Sequence, residues 1–167
     1  MVEIRFTEAS GDEGMRDELE LQLLSELQRA GCFRSVAPAA DEGETVKPSP
    51  DSIKLNIAVS ELFEETTYDT SIAQRTDPMA PQELELLHTS RIRAVMRVAL
   101  EHAASGVELR ARSLRADGAH RPLILGEDAR QAALLQATIE AAESVRRFVC
   151  KGGAKRLSKE LRSIPGS

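Results

Sequence analysis

The chain has 167 residues, a formal net charge of −5 and a sequence pI of about 5.3. Its 41% hydrophobic and 29% charged residues are those of a folded domain and exclude wholesale disorder. Aromatic residues make up 3% and Trp is absent, so the core is aliphatic and no stacking platform for single-stranded nucleic acid is visible. The acidic balance also counts against a nucleic-acid partner, whose binding rests on neutralising phosphates.

Residues 2–6 alternate, with Val2, Ile4 and Phe6 on one side and Glu3 and Arg5 on the other, which predicts a half-buried strand. Gly11 to Gly14 breaks the chain. An amphipathic helix is predicted over about 15–30, with Met15, Leu19, Leu23, Leu27 and Ala30 on one stripe and Leu24 beside it. Gly31 stands where a helix end favours a left-handed residue. Cys32 to Val36 reads as a short second strand, and residues 37–51 as a polar, Pro-punctuated loop. In the next strand Ile53, Leu55, Ile57, Val59 and Phe63 alternate with Lys54, Asn56, Ala58 and Ser60.

Residues 64–89 lose periodicity and read as a long loop of the kind that carries function or plain disorder. A strand follows over about 90–102, with Ile92, Ala94, Met96, Val98 and Leu100 facing one way and Arg91, Arg93, Arg97 and Glu101 the other. Ala103 to Gly106 makes a tight turn. Val107, Leu109 and Ala111 then alternate with Glu108, Arg110 and Arg112, completing a hairpin. Asp117-Gly118 reads as a further turn and Pro122 to Leu125 as a short apolar run compatible with extended chain. A last helix spans about Asp128 to Cys150, capped by Asp128, with a stripe of Ala132, Leu135, Ile139, Ala142 and Val149 widened by Leu134, Val145 and Phe148.

The order is strand, helix, four strands, helix. It predicts an α/β (α+β) fold: a mixed, mostly antiparallel sheet with both amphipathic helices on one face and the other face wet. Residues 1–150 read as one domain and 151–167 as a basic tail holding Lys151, Lys155, Arg156, Lys159 and Arg162.

Candidate chemistry is sparse. His88, His102 and His120 form no metal-binding pattern, and His102 reads as a solvated strand end. Cys32 and Cys150 belong to no CxxC pair, so a zinc site is not indicated. They read either as two small buried hydrophobes or as one long-range disulfide, which implies an oxidising compartment. No phosphate loop or nucleophile elbow is present, and neither a cofactor nor a catalytic set is expected. Arg91, Arg93, Arg97, Arg110 and Arg112 lie at polar positions of two paired strands. If their faces coincide they form a basic, partner-binding patch. Otherwise they belong to an ordinary charged surface with Glu101 and Glu108.

No apolar run is long enough to span a bilayer. The start Met1-Val2-Glu3-Ile4-Arg5-Phe6 lacks the features of a signal peptide, which taken literally means a cytoplasmic protein. A chain whose leader had been replaced by Met would read the same way.

The order of elements resembles a group of bacterial envelope domains. These are the N-terminal domain of the Tol-system periplasmic propeller protein, the curli secretion lipoprotein and the lipoprotein activators of cell-wall synthases. The residues carrying the resemblance are the helix exit Glu26 to Phe33, the strand Ile53 to Ile57 after a polar loop, the hairpin from Val95 to Arg110 and the Ala-rich helix after Asp128. The sequence departs from the lipoproteins in having no lipobox cysteine near its start. The resemblance implies a periplasmic or outer-membrane-associated domain that holds or regulates a partner protein without catalysis, through the exposed sheet face or the 64–89 loop. The alternative is a cytoplasmic nucleic-acid-binding or regulatory module using the arginine face. Self-association and contact of the basic tail with a membrane surface stay open.

Overall fold

The computed structural model describes residues 2–6, 13–33, 35–38, 52–69, 88–151 and 159. Five strands, β1 (Val2–Phe6), β2 (Val36–Pro38), β3 (Ile53–Tyr68), β4 (His88–His102) and β5 (Glu108–His120), form one sheet in the order β2-β1-β3-β4-β5. Two helices, α1 (Glu13–Ala30) and α2 (Ala129–Val149), complete the expected order. The sheet is mixed: β1 runs parallel to β2 and to β3, while β3–β4 and β4–β5 are long antiparallel ladders.

Both helices cover one face. Leu19, Leu23 and Leu27 of α1 are fully buried against Ile4, Leu55, Ile57, Met96, Val98 and Leu100 in a single aliphatic core. That face of β3 and β4 carries the strict alternation expected of strands with one dry side. The helix ends also follow expectation. The Asp128 carboxylate accepts from Gln131 N at 3.0 Å and caps α2, and Gly31, at φ 62, closes α1.

Several elements differ from expectation. β2 starts at Val36 rather than Cys32, because Cys32 and Phe33 lie in the turn that leaves α1. Residues 64–68 and 88–89 are strand, not loop, and the rest of that predicted loop, 70–87, lies outside the described residues. Beyond a bulge near Ser60 the side chains of β3 are largely exposed on both faces, so its hydrophobic period vanishes although pairing continues to Tyr68↔His88. Asp117-Gly118 is not a turn but part of β5, which runs on to His120. Leu123 to Leu125 is a bend rather than an extended run.

The stripe of α2 is also rotated from the expected one. Its buried face is Ala129, Ala133, Leu134, Ala137, Thr138, Ala141, Ala142, Val145 and Val149, while Leu135 and Ile139 point outward, each more than 40% exposed. Small residues line the contact because the helix comes down onto the β5 backbone. A β-carbon on Gly118 would stand 2.6 Å from Ala137 N. Of the predicted basic tail, only Lys151 and Lys159 are described, and both are exposed.

Candidate functional site: the open sheet face and its closing disulfide

The ladder registers assign the predicted arginines to two sides of the sheet. Directly paired residues of an antiparallel ladder project to the same face. Arg91 pairs with Ala119, Arg93 with Asp117 and Arg97 with Ser113, all on the open face. A bulge between Leu100 and Glu101 leaves Leu109 as the extra residue and shifts β5 by one. Arg110 therefore stands opposite buried Leu100, and Arg112 opposite buried Val98, on the helix side. A slip of one residue moves every side chain to the other face. The structure thus brings Arg91, Arg93 and Arg97 together and separates Arg110 and Arg112 from them.

Arg110 serves the scaffold. Its guanidinium donates to Phe148 O at 3.5 Å, Val149 O at 3.3 Å and Lys151 O at 3.4 Å, and it lies 5.8 Å from the Phe148 ring centroid. A cation at the carbonyl end of α2 complements the helix dipole.

On the open face the cations are matched. Arg93 Nε donates to Asp117 at 2.9 Å, and Arg115 Nε donates to the same carboxylate at 2.8 Å. Arg97 meets Glu108 at 3.2 Å, and Arg91 stands across from Glu65. Asn56 Nδ2 donates to Glu101 at 2.8 Å. Lys54, Arg91, Arg93, Arg97 and Arg115 share the surface with Glu61, Glu65, Glu101, Glu108 and Asp117, so of the two readings of these arginines the face matches the mixed, near-neutral charged surface. The hydrogen bond from Arg115 holds the Asp117 carboxyl below its ordinary range, helped by Arg93, and the same bond raises Arg115. Phe63, 58% exposed, stands among these charges opposite Arg93 and lines a half-open recess of about 310 Å³ with Glu65, Arg91, Asp117 and Gln136.

The β5 edge beside this face is partly closed by α2. Glu140 accepts from Asp117 N at 2.8 Å, and Gln136 accepts from Ala119 N at 3.2 Å. Occupying edge donors with side chains blocks indiscriminate strand pairing there.

The two cysteines are not separate buried hydrophobes. Cys32 and Cys150 are joined by a disulfide with a Cα–Cα distance of 5.8 Å across 118 residues of sequence. One follows the end of α1 and the other caps α2, so the bond ties the same ends of two helices running side by side. The Glu26–Arg146 ion pair at 3.1 Å adds a second link.

The histidines remain apart. His102 is buried rather than solvated, with Nδ1 2.7 Å from Ser105 Oγ inside the β4–β5 turn. His120 Nε2 lies 2.8 Å from Glu127, and His88 neighbours Tyr68 with ring centroids 6.2 Å apart. Among the described residues no His, Cys, Asp or Glu cluster could hold a metal, and no helix is long and apolar enough to cross a membrane.

The same α/β fold occurs in bacterial proteins of solved structure. A minor lipoprotein from Acinetobacter baumannii shares it at 14% identity and a TM-score of 0.52, over 90% of this chain and 92% of that one. A DUF330-family protein from Xanthomonas campestris does so at 14% identity and a TM-score of 0.55, over 95% of this chain and 87% of that one. A Helicobacter pylori protein described as a homologue of neuraminyllactose-binding hemagglutinin matches at 17% identity and a TM-score of 0.53, over 95% and 89%. At these identities the likeness is one of fold. No protein-family model matches the sequence, and no curated protein sequence does.

Proposed function

We propose that the chain is a non-enzymatic interaction domain of the bacterial cell envelope that holds a partner protein on the open face of its sheet. The observation carrying this reading is the fold, which it shares over nine-tenths of its length with a bacterial lipoprotein. The Cys32–Cys150 bond supports it, because structural disulfides persist in oxidising compartments such as the periplasm. The relationship to the Tol-system propeller domain, the curli lipoprotein and the synthase activators belongs to the same proposal.

The open face suits a protein better than a phosphate backbone. An exposed aromatic side chain, Phe63, is surrounded by paired charges of both signs, an apolar anchor within a polar rim. The near-neutral balance removes the support that an arginine-rich face would have lent to nucleic-acid binding. The test is site-specific photo-crosslinking in native cells. A crosslinking residue at Phe63 is expected to trap a discrete partner, and one at exposed Ser25 on the opposite helix layer is not. No adduct from Phe63, or equal adducts from both sites, would overturn the assignment of the partner to this face.

A further inference from the structure

The connection between β5 and α2 carries the most exposed run of large apolar side chains among the described residues. Leu123 is 81% exposed, Ile124 69% and Leu125 53%. Other exposed aliphatics, such as Leu21 and the pair Leu135 and Ile139, are less concentrated. The bend is fixed from within. The Glu127 carboxylate accepts from Leu123 N at 2.7 Å and meets His120 Nε2 at 2.8 Å, while Glu127 N donates to Ile124 O at 3.3 Å. Gly126, at φ 81, supplies the left-handed residue the bend requires. Pro122 is buried beneath it.

The bend occupies one end of the molecule. Ser90 pairs with His120, and Arg121 lies 3.7 Å from Asp69, so the tip stands beside the far end of the β3–β4 ladder. Tyr68, 66% exposed, is at that end, and the disulfide closes the other.

Two surfaces could receive such a tip. A protein groove must match its convex shape, and three aliphatic side chains expose roughly half of the ~800 Å² that each partner contributes to a standard interface. A bilayer needs no complementary shape. Aliphatic side chains enter its acyl boundary, while tyrosine and long cationic side chains sit at headgroup level. Tyr68 is exposed at the same end, and Arg121, ion-paired with Asp69 at 3.7 Å, directly precedes the bend, so a tyrosine and a cationic side chain flank the tip. The internal hydrogen bonds of the bend lower the cost of bringing its backbone near hydrocarbon.

We propose that Leu123, Ile124 and Leu125 form a membrane-docking tip that inserts into the interfacial layer of a phospholipid bilayer. The site is separate from the open sheet face and does not depend on a protein partner being bound there.

The test uses the full chain and vesicles of phosphatidylcholine alone. The chain has no Trp, so Ile124→Trp provides a single emission reporter. Flotation with the vesicles, a blue shift of that reporter and persistence in about 0.5 M salt are expected, because apolar insertion is not screened. The double variant Leu123→Asp, Ile124→Asp should weaken flotation by about tenfold or more with unchanged thermal stability, since both positions are exposed. Failure of the native chain to float, or flotation unaffected by the double variant, would overturn the proposal. So would binding confined to anionic vesicles and abolished by salt, or loss in the double variant of a protein adduct rather than of vesicle binding.

Discussion

Gly118 lies so close beneath α2 that a β-carbon added to it would stand 2.0 Å from the carbonyl oxygen of Ala133. That single approach accounts for the alanine-lined face of α2 and for a glycine in the middle of a strand, where it otherwise weakens pairing. Gly118→Ala should force the helix off the sheet and cost about 1–3 kcal/mol or more, as overpacking does. Denaturant unfolding would measure it. A neutral result would mean that the helix stands further away.

The disulfide closes a loop of 118 residues between the ends of two helices. Cys32→Ala should lower stability by about 2–5 kcal/mol, read as a fall in the denaturation midpoint. Adding a reductant should produce the same fall in the native chain and none in the variant.

The two arginines that the β5 bulge turns to the helix side should behave differently. Arg110 satisfies carbonyls at the α2 terminus, so Arg110→Ala should cost about 1–3 kcal/mol. Arg112 is exposed with no such anchorage, and Arg112→Ala should stay within about 0.5 kcal/mol. Thermal denaturation of the pair separates the roles, and equal losses would contradict the observed register.

Glu127 is held below its ordinary carboxylate range, first by the Leu123 N–H and then by His120. A depressed folded-state value means that the ionised form favours the folded bend, so its contribution is complete above the unfolded carboxylate range and is lost as pH falls through the lowered value. Amide exchange at Leu123 should therefore remain protected at mildly acidic pH and open only below the usual Glu range. Asp117, lowered by Arg115, should act in the same direction on the open face. Exchange that opens near neutral pH would contradict that role for Glu127.

Much of the fold was legible in the sequence wherever one face of an element is dry and the other wet. The alternation of Ile92, Ala94, Met96, Val98 and Leu100 placed β4 correctly, as did the spacing of Leu19, Leu23 and Leu27 for α1. Legibility failed where that contrast disappears. Glu64 to Tyr68 pair with β4 but are mostly exposed on both faces, so no hydrophobic period marks them and the residues resemble a loop. Asp117-Gly118 carries turn residues because a helix lies on the glycine and two arginines on the aspartate, neither of which is local information. In α2 the larger aliphatics drew the stripe toward Leu135 and Ile139, whereas close packing selected alanines.

Whether the five arginines share a face turned on one residue, the bulge at Leu109, which sets Arg110 and Arg112 on the helix side. The exposed tip at Leu123 to Leu125 read as a short run compatible with extended chain because its composition is apolar. Only the hydrogen bonds of Glu127 show it as a bend. The disulfide stood as one of two readings of Cys32 and Cys150, and nothing in their spacing distinguished them.

Fractionation of native cells, probing the full-length product with an antibody to this domain, tests the central claim most directly. An envelope interaction domain should be recovered from periplasm or membranes, with Cys32 and Cys150 resistant to alkylation until reduced. A soluble cytoplasmic product with both thiols alkylated at once would contradict the account.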